Sequence, residues 1–278
     1  MGSSICLGYL GPKGTFSEIA AHKYSQGKGW QLVECSSLED IVNGVVSGML
    51  DKGIVPVENS TEGSVGIVYD LLAGSCDLAI EGEIIVPVVH SLLARSKIST
   101  KRIEKVFSHP QALAQCRNFL RKNLPHVCWQ ECTSTAAAAV LVAESEQPWA
   151  ALAPASAAAV YGLEVLIPQA NDYPNNMTRF FAIGREQLSL TSTHCKTSLL
   201  FGVCDRPGAL YLVLREFALR GINLTRIESR PAKNKLGEYI FFLDFLGSTA
   251  DPAVQDLVRN LSKITTYLKL LGSYPAAE

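Results

Sequence analysis

Short apolar runs alternate with segments of helical periodicity through the first two-thirds of the chain. Leu7–Leu10 and Gly53–Val57 have the length and composition of strands, whereas the segment after Ser37 repeats its apolar residues at helical spacing. Strands that alternate with helices form βα units around a largely parallel sheet. The pattern predicts an α/β fold of two lobes with a cleft between them, where strand ends and helix N-termini point toward a ligand.

The same alternation continues to residue 184. A stretch rich in β-branched residues predicts extended structure over Leu78–Leu93. Further strands are predicted at Val106–Ser108, Trp149–Ala153 and Arg179–Gly184. Helices are expected to begin at three capping residues, Thr15, Ser37 and Ser134, of which Thr15 opens a capping box with Glu18.

The polar segment Arg185–Lys196 separates this region from the rest of the chain, and we expect the domain boundary between residues 188 and 189. Beyond it the periodicities predict strand, helix, strand, strand, helix and strand. This βαββαβ order is typical of ferredoxin-like domains. A domain of about 80 residues with an open sheet edge has a marginal core, so we expect copies of the chain to pair as a homodimer or homotetramer.

Charge and cysteine usage argue against several classes of protein. The 278 residues include 25 basic and 26 acidic ones, and no basic stripe is present to bind phosphates or lipid headgroups. The eight cysteines fall singly, without a CxxC pair or a histidine at zinc spacing. We therefore expect no metal, no nucleic acid and no membrane partner, and a cytoplasmic location without a signal peptide.

Four segments carry a resemblance to a known family: Gly8–Ser17, Pro56–Val65, Ser108–Leu113 and Asn176–Phe181. They resemble the signature blocks of prephenate dehydratases. In the C-terminal region, Arg206–Leu210 and Ile227–Pro231 are similar to the two phenylalanine-site motifs of ACT regulatory domains. The motifs follow the family's order over almost the whole chain.

The resemblance implies a catalytic domain over residues 1–188, similar to type II periplasmic binding proteins, followed by an ACT domain over residues 189–278. It also implies the decarboxylating dehydration of prephenate to phenylpyruvate in L-phenylalanine biosynthesis, without a cofactor and with phenylalanine as allosteric effector. No long helix precedes Ile5, so we expect no fused chorismate mutase domain.

Prephenate is a small dianion whose ring becomes aromatic as hydroxide and carbon dioxide leave. A catalyst needs donors for the carboxylate that stays and a hydrogen-bond donor for the departing hydroxyl. Arg179 is expected in the first role, because its planar guanidinium can hold a carboxylate with two hydrogen bonds; an ion pair at the surface or between lobes is the alternative. Thr178 is expected in the second role, against the alternative of a β-branched packing residue.

Polar residues follow the carboxyl end of the predicted strand Gly53–Val57, where a cleft ligand would lie. Asn59 and Ser60 are expected to orient the substrate hydroxyl or the catalytic threonine. Glu58 would repel a dianion, so it is expected to position an arginine or backbone groups at the substrate site, and Gly63 is expected to permit a turn there. Ordinary turn chemistry is the alternative for this segment.

Helix starts supply further candidates for substrate binding. Two helix starts, at Thr15 and at Ser134 with Thr135, offer free N–H groups and the positive end of a helix dipole to the second carboxylate. The alternative is that these residues only cap their helices, as most N-cap residues do. His109 and Gln111 lie at the start of a proline-led helix. A lone histidine is more often structural than catalytic, and His109 could touch the substrate or stabilise the lobe.

Phe180 and Phe181 adjoin the expected cationic anchor. One of them is expected to face the carboxylate that leaves, where poor solvation disfavours the charged ground state. Core packing is the alternative, since adjacent strand residues point to opposite faces. Phe180 is our candidate for substrate contact.

The ACT region is expected to bind phenylalanine. The helix that begins at Gly208, Ala209 and Leu210 is expected to receive the carboxylate, because glycine allows close approach of the backbone. Contacts from a neighbouring strand are expected from Asn223, Leu224 and Thr225. A dimer contact that supports the site is expected at Glu228, Ser229 and Arg230.

Two other functions stay open from the sequence. An arogenate dehydratase would use the same chemistry on the amine-bearing analogue of prephenate, and nothing in the sequence separates the two substrates. A noncatalytic amino-acid-responsive binding protein would also use a two-lobed cleft and an ACT domain, although Thr178 beside Arg179 favours an enzyme.

Overall fold

A computed structural model of the chain describes residues 4–74, 78–186, 194–232 and 239–277. Within these residues the strands are β1 (Cys6–Leu10), β2 (Gln31–Cys35), β3 (Lys52–Asn59), β4 (Gly63–Ser64), β5 (Ala79–Pro87), β6 (Ser91–Ala94), β7 (Lys105–Ser108), β8 (Cys128–Glu131), β9 (Trp149–Ala153), β10 (Glu164–Ile167), β11 (Met177–Gly184), β12 (Cys195–Gly202), β13 (Leu224–Pro231), β14 (Tyr239–Leu246) and β15 (Tyr267–Pro275). The helices are α1 (Phe16–Ser25), α2 (Leu38–Ser47), α3 (Gly66–Gly74), α4 (Pro110–Gln115), α5 (Arg117–Asn123), α6 (Thr135–Glu144), α7 (Ala155–Tyr161), α8 (Ala209–Leu219) and α9 (Pro252–Ile264). The predicted domain boundary falls among residues 187–193, which lie outside the described residues.

The first lobe is built on a sheet with the strand order β2-β1-β3-β11-β5, to which the short β4 adds by pairing with β3. β1 runs parallel to β2 and β3. β11 lies antiparallel between β3 and β5, so in this sheet parallel pairing is confined to β2, β1 and β3, whereas in the second lobe β7 pairs in parallel with β8 and β9. The chain reaches β11 after it has passed through the second lobe, and it therefore enters the first sheet from the opposite end.

The second lobe has the strand order β10-β6-β9-β7-β8. The predicted extended stretch Leu78–Leu93 belongs to both lobes, because β5 ends at Pro87 and β6 begins at Ser91. The chain crosses between the lobes there and crosses back between β10 and β11. The predicted two-lobed α/β architecture is confirmed.

Three helices begin at their predicted caps. The side chains of Thr15, Ser37 and Ser134 each accept a hydrogen bond from the backbone N–H three residues later. The carboxylate of Glu18 accepts from the N–H of Gly14 at 2.6 Å, one residue before the cap itself. These bonds satisfy N–H groups that the helix cannot satisfy internally, and so they fix where α1, α2 and α6 start.

The ACT region folds in the predicted βαββαβ order, as β12, α8, β13, β14, α9 and β15. Its sheet is antiparallel, with the strand order β13-β14-β12-β15. Helices α8 and α9 cover one face around a core that includes Val213, Phe217 and Leu257. Within the described ranges, no helix combines the length and the apolar character needed to cross a membrane.

The other face of the ACT sheet packs directly on the first lobe. Leu200, Phe242 and Tyr274 of the ACT sheet belong to the same buried core as Phe181 of β11. Gly272 has a φ of 146°, and a Cβ at that position would overlap the backbone oxygen of Ile80 in β5. Only glycine permits this approach, so β15 lies close against the catalytic sheet.

Candidate active site

A cavity of about 370 Å³ lies between the two lobes. This volume is in the usual range for a small-molecule site. Both lobes contribute walls: strands β3 and β11 and helix α1 on one side, and helices α4 and α6 on the other. Of the residues predicted to bind or convert substrate, those that line it are Thr15, Asn59, His109, Gln111, Ser134, Thr135, Thr178 and Phe180.

The cavity is lined by uncharged side chains. Among its described lining residues there is no aspartate, glutamate, lysine or arginine. The N-termini of α1 and α6 open onto it instead, through Phe16 and Ser17 on one side and Thr135 on the other. Their free backbone N–H groups and positive dipole ends are suited to an anion. The site can therefore receive carboxylates without a cationic side chain.

Thr178 and Asn59 are direct partners across β3 and β11. The Asn59 Nδ2 donates to Thr178 Oγ1 at 2.9 Å. The Asn59 Oδ1 accepts from the backbone N–H of Thr61 at 3.0 Å and from its hydroxyl at 2.6 Å, which fixes the orientation of the amide. Because Thr178 Oγ1 already accepts a hydrogen bond, and no hydrogen bond of the described residues uses its proton, its O–H is available to donate to a ligand.

The structure places Arg179 outside the cavity lining, away from the position that was expected for it beside the substrate. The physical reason is strand alternation: Thr178 and Phe180 face the cleft, and the residues between and after them face the ACT sheet. The Arg179 Nη2 lies 2.7 Å from Asp244 Oδ2 of β14. The alternative of an ion pair therefore describes this arginine, although the pair joins two domains and not two lobes.

The remaining residues predicted around β3 also lie outside the cavity lining. Glu58 faces the same side as Arg179, and its Oε2 lies 3.3 Å from Arg179 Nε. The Ser60 hydroxyl donates to Asn176 Oδ1 at 3.1 Å and accepts from the N–H of Met177, so it fixes the start of β11. Gly63, with a φ of 83°, forms the turn into β4, as glycine readily does.

His109 and Gln111 reach the cavity from α4. The His109 Nδ1 accepts a hydrogen bond from the backbone N–H of Gln111 at 3.3 Å, so this histidine caps the helix. With its Nδ1 as acceptor, a neutral His109 carries its proton on Nε2 and can donate from that atom.

A polar cluster in the wall of the cavity was not predicted from the sequence. Its centre is Gln115, whose Nε2 donates to Glu62 Oε1 at 2.9 Å and so connects α4 of the second lobe with the first lobe. The Gln115 Oε1 accepts from Asn176 Nδ2 at 3.0 Å and lies 3.1 Å from His90 Nε2. A sequence signal for Gln115 did exist, because it follows Gln111 by four residues and shares its helix face.

The tautomer of His90 follows from this cluster. The carboxylate of Glu62 can only accept, so Gln115 presents its oxygen to His90, and His90 Nε2 is the donor. Burial lowers the pKa of His90 to about 4, and the imidazole is neutral at neutral pH. His90 therefore holds Gln115 in place without adding charge to the cavity.

Phe180 and Phe181 face opposite sides of the sheet, as adjacent residues of a strand do. Phe180 lines the cavity, whereas Phe181 packs against Tyr274 of the ACT domain with ring centroids 5.8 Å apart. Phe180 is thus the one of the pair that can contact a ligand in the cleft.

The residues predicted to bind phenylalanine do not meet within one chain. Gly208, Ala209 and Leu210 lie at the N-terminus of α8, whereas Asn223, Leu224 and Thr225 follow its C-terminus. The helix has 11 residues, so its two ends are about 16 Å apart at a rise of 1.5 Å per residue. Within one chain the two groups therefore lie at opposite ends of α8.

Glu228 and Arg230, which were expected at a dimer contact, make contacts within their own chain. Both side chains point from β13 to the catalytic domain of their own chain. The Glu228 Oε2 accepts from the Ser64 hydroxyl at 2.7 Å, and the Arg230 Nη2 donates to Asp70 at 3.0 Å. Ser229, between them on the strand, is exposed on the opposite face.

Comparison with known proteins agrees with both domains. The family model described as Prephenate dehydratase matches residues 7–188, and that described as ACT domain matches residues 197–262. A bifunctional chorismate mutase/prephenate dehydratase of Aquifex aeolicus is 44% identical over 273 residues, which cover 98% of this chain and 74% of that protein. A prephenate dehydratase of Methanocaldococcus jannaschii is 42% identical over 273 residues, covering 96% of this chain and 97% of that one.

Solved structures agree as well. The crystal structure of a prephenate dehydratase from Arthrobacter aurescens in complex with L-Phe superposes with a TM-score of 0.89 at 35% identity, covering 98% of this chain and 90% of that chain. The match spans the two lobes and the regulatory sheet together. The chain therefore belongs to the prephenate dehydratase family of carbon–oxygen lyases, and it carries an ACT domain after its two catalytic lobes.

Proposed function

We propose that the interlobe cavity converts prephenate to phenylpyruvate, water and carbon dioxide, with Thr178 as the catalytic hydrogen-bond donor. The observation that carries the proposal is the Asn59–Thr178 pair, which leaves the threonine proton free at the wall of an uncharged cavity. Membership of the prephenate dehydratase family supports the reaction.

The reaction moves electrons across the ring, from the carbon that carries the carboxylate to the carbon that carries the hydroxyl. The bond between the ring and its carboxylate breaks, carbon dioxide leaves, and the released pair completes the aromatic ring as the ring–oxygen bond breaks. The leaving oxygen takes a proton and departs as water. Thr178 donates a hydrogen bond to this oxygen, and the Asn59 amide stabilises the charge that develops on the threonine hydroxyl.

The carboxylate that remains in the product is bound by backbone groups. The N-termini of α1 and α6 offer N–H donors from opposite walls of the cavity. Phe180 supplies an apolar surface for the carboxylate that leaves, where weak solvation favours its release as neutral carbon dioxide. His109 and Gln111 complete the wall from the second lobe.

The uncharged lining favours prephenate over arogenate. Arogenate carries an ammonium group where prephenate carries a keto group, and no described lining side chain is a carboxylate that could pair with it. The helix N-termini would also repel that ammonium. We expect kcat/KM for prephenate to exceed that for arogenate at least about tenfold, as one lost charge pairing is worth more than 1.4 kcal/mol. Equal or reversed values in a direct competition assay would contradict this preference.

The test of the reaction itself is a turnover assay with purified protein. Phenylpyruvate should form from prephenate without added metal or cofactor, and Thr178→Ala should slow its formation about 10²- to 10³-fold. A sample that releases no product from either substrate would favour a noncatalytic binding protein. The described cysteines are free thiols, which suits the cytoplasm, where we place the enzyme.

Phenylalanine is the proposed effector of the ACT domain, in a homodimer or homotetramer. For inhibition to follow, it must bind one arrangement of the catalytic lobes better than another. The separation of Gly208 and Asn223 along α8 supports a site shared between two chains. Sedimentation with and without phenylalanine tests this arrangement: a monomer that is still inhibited would exclude the shared site.

A further inference from the structure

Arg179 is the point at which the catalytic strand β11 meets the ACT sheet. Its Nη2 donates to Asp244 Oδ2 at 2.7 Å, and its Nη1 donates to Glu83 Oε2 at 3.4 Å. Its Nε lies 3.3 Å from Glu58 Oε2, without the alignment of a hydrogen bond. Burial lowers the pKa of Arg179, but the nearby carboxylates raise it more, so the guanidinium is a fixed charge.

Asp244 is held rigidly on the ACT side. The Ser198 hydroxyl donates to Asp244 Oδ1 at 2.6 Å, so the hydrogen bond of 2.6 Å between Ser198 and Tyr274 must be donated by the tyrosine. Burial raises the pKa of Tyr274, which keeps its phenol protonated as this chain of donors requires. Only 5% of Asp244 is exposed.

The two other carboxylates near Arg179 have cations of their own. Lys196 Nζ lies 2.7 Å from Glu83, and Arg226 Nε lies 3.4 Å from Glu58. Asp244, in contrast, has Arg179 as its only cation at ion-pair distance among the described residues. The pair is therefore specific: without Asp244, nothing on the ACT side directs Arg179 to β14.

Arg179 and Thr178 are neighbours in β11, at the point where its pairing with β3 is irregular. The register of β11 on β3 shifts between Arg179 and Phe180. Arg179 pairs with Glu58 and Phe180 with Pro56, so Val57 of β3 is the extra residue of a bulge. A bulge bends the strand pair locally and re-aims side chains there. A contact that fixes the arginine on one face therefore also fixes where the threonine points on the other.

We infer that Asp244, a residue of the ACT domain, is a positioning residue for dehydration: it holds Arg179 and thereby sets the Thr178 hydroxyl against Asn59 in the cleft. This inference rests on the proposed prephenate dehydratase activity. Asp244 touches no substrate and acts only through the strand. Because it lies in β14, a movement of the ACT sheet when an amino acid binds would change the placement of Thr178 directly.

The test compares Asp244→Asn with Asp256→Asn in the full chain. Asp256 is the control, because it is an exposed ACT carboxylate that pairs with Arg220 at 2.6 Å and lies in α9, on the face of the ACT sheet away from β11. We expect Asp244→Asn to lower kcat for prephenate at least about tenfold, with KM within about twofold, since substrate contacts are intact and only the transition-state donor is displaced. Asp256→Asn should match the wild type.

A second variant guards against misfolding. Arg179→Met combined with Asp244→Leu removes both charges, and replacing a buried ion pair by apolar residues often leaves stability unchanged. If this double variant melts like the wild type but has lost kcat at least about tenfold, and calorimetry shows phenylalanine binding without a further effect on turnover, the positioning role holds.

Wild-type kcat in a well-folded double variant would overturn the inference, because Asp244 would then serve stability alone. Equal kinetics of Asp244→Asn and Asp256→Asn would overturn it as well. A wild-type chain without prephenate turnover would instead refute the proposed function, and with it the inference. The three results are distinguishable in one set of assays.

Discussion

The two faces of strand β11 differ in how they handle charge. The cleft face carries Thr178 and Phe180, in a cavity whose described lining has no charged side chain. The opposite face carries Arg179, surrounded by Asp244, Glu83 and Glu58. The charged residue of the strand thus forms ion pairs between the domains, whereas the cleft offers an anionic substrate only backbone N–H groups and uncharged side chains.

This division has a catalytic rationale. A cationic side chain on the substrate carboxylates would stabilise ground state and transition state alike, and such uniform binding does not raise kcat. A hydroxyl at the departing oxygen meets negative charge only as the bond breaks. Substitutions on the cleft face should therefore alter kcat through the reacting groups, and those on the ACT face should alter stability and, through the placement of Thr178, kcat.

The largest effect is expected from Thr178→Val, which keeps the shape and removes the hydroxyl. We expect kcat to fall about 10²- to 10³-fold, the usual cost of a lost transition-state donor, with KM nearly unchanged. Steady-state kinetics measure this, and Thr100→Val in the second lobe is the control. A decrease in kcat of less than about fivefold would contradict the proposed difference between the two faces, because Thr178 would then not be the catalytic donor of the cleft face.

Arg179→Met probes the opposite face. Removal of one partner of a buried pair leaves Asp244 uncompensated, and we expect a loss of about 3 kcal/mol in the free energy of unfolding in urea. KM for prephenate should stay within about twofold, since the guanidinium lies outside the cleft. Arg259→Met is a control, because its ion pair with Asp256 at 3.4 Å is exposed. A large rise in KM without a loss of stability would indicate instead that Arg179 binds the substrate.

The pH dependence of stability tests the cleft side of the comparison through His90. The pKa of His90 is about 4 in the fold, against about 6.5 in an unfolded chain. Between these values the unfolded state binds a proton that the folded state does not, so stability falls as the pH falls. From pH 7 to pH 5 the loss from this group is about 2 kcal/mol. His90→Gln should unfold in urea with that much less pH dependence, and an unchanged slope would contradict the buried neutral imidazole.

The smallest effect is expected from helix caps. Ser134→Ala and Asp251→Ala each remove a side chain that accepts a backbone N–H, at 2.9 and 2.8 Å, and each should cost about 1 kcal/mol in urea unfolding. Ser134 lines the cleft and Asp251 caps α9 of the ACT domain. Only Ser134→Ala should therefore raise KM. Equal KM values in the two variants would show that the N-terminus of α6 does not contribute to substrate binding.

Features governed by short-range rules could be predicted from the sequence. The caps at Thr15 and Ser134, the βαββαβ order and a strand over Arg179–Gly184 all follow from patterns within a few residues. The side of the strand on which Arg179 points did not follow, because its partner Asp244 lies 65 residues further along the chain. Gln115 was missed for the same reason, since its partner Glu62 belongs to the other lobe.

The sequence by itself determined the family, the alternation of strands and helices and the polar residues that could serve a cleft, because motifs and periodicity are local. Only the tertiary structure decided which of those residues share the cleft. Asn59 and Thr178, 119 residues apart, become a catalytic pair only through the pairing of β3 with β11. That same pairing turns Arg179 away, because alternate residues of a strand must face opposite sides.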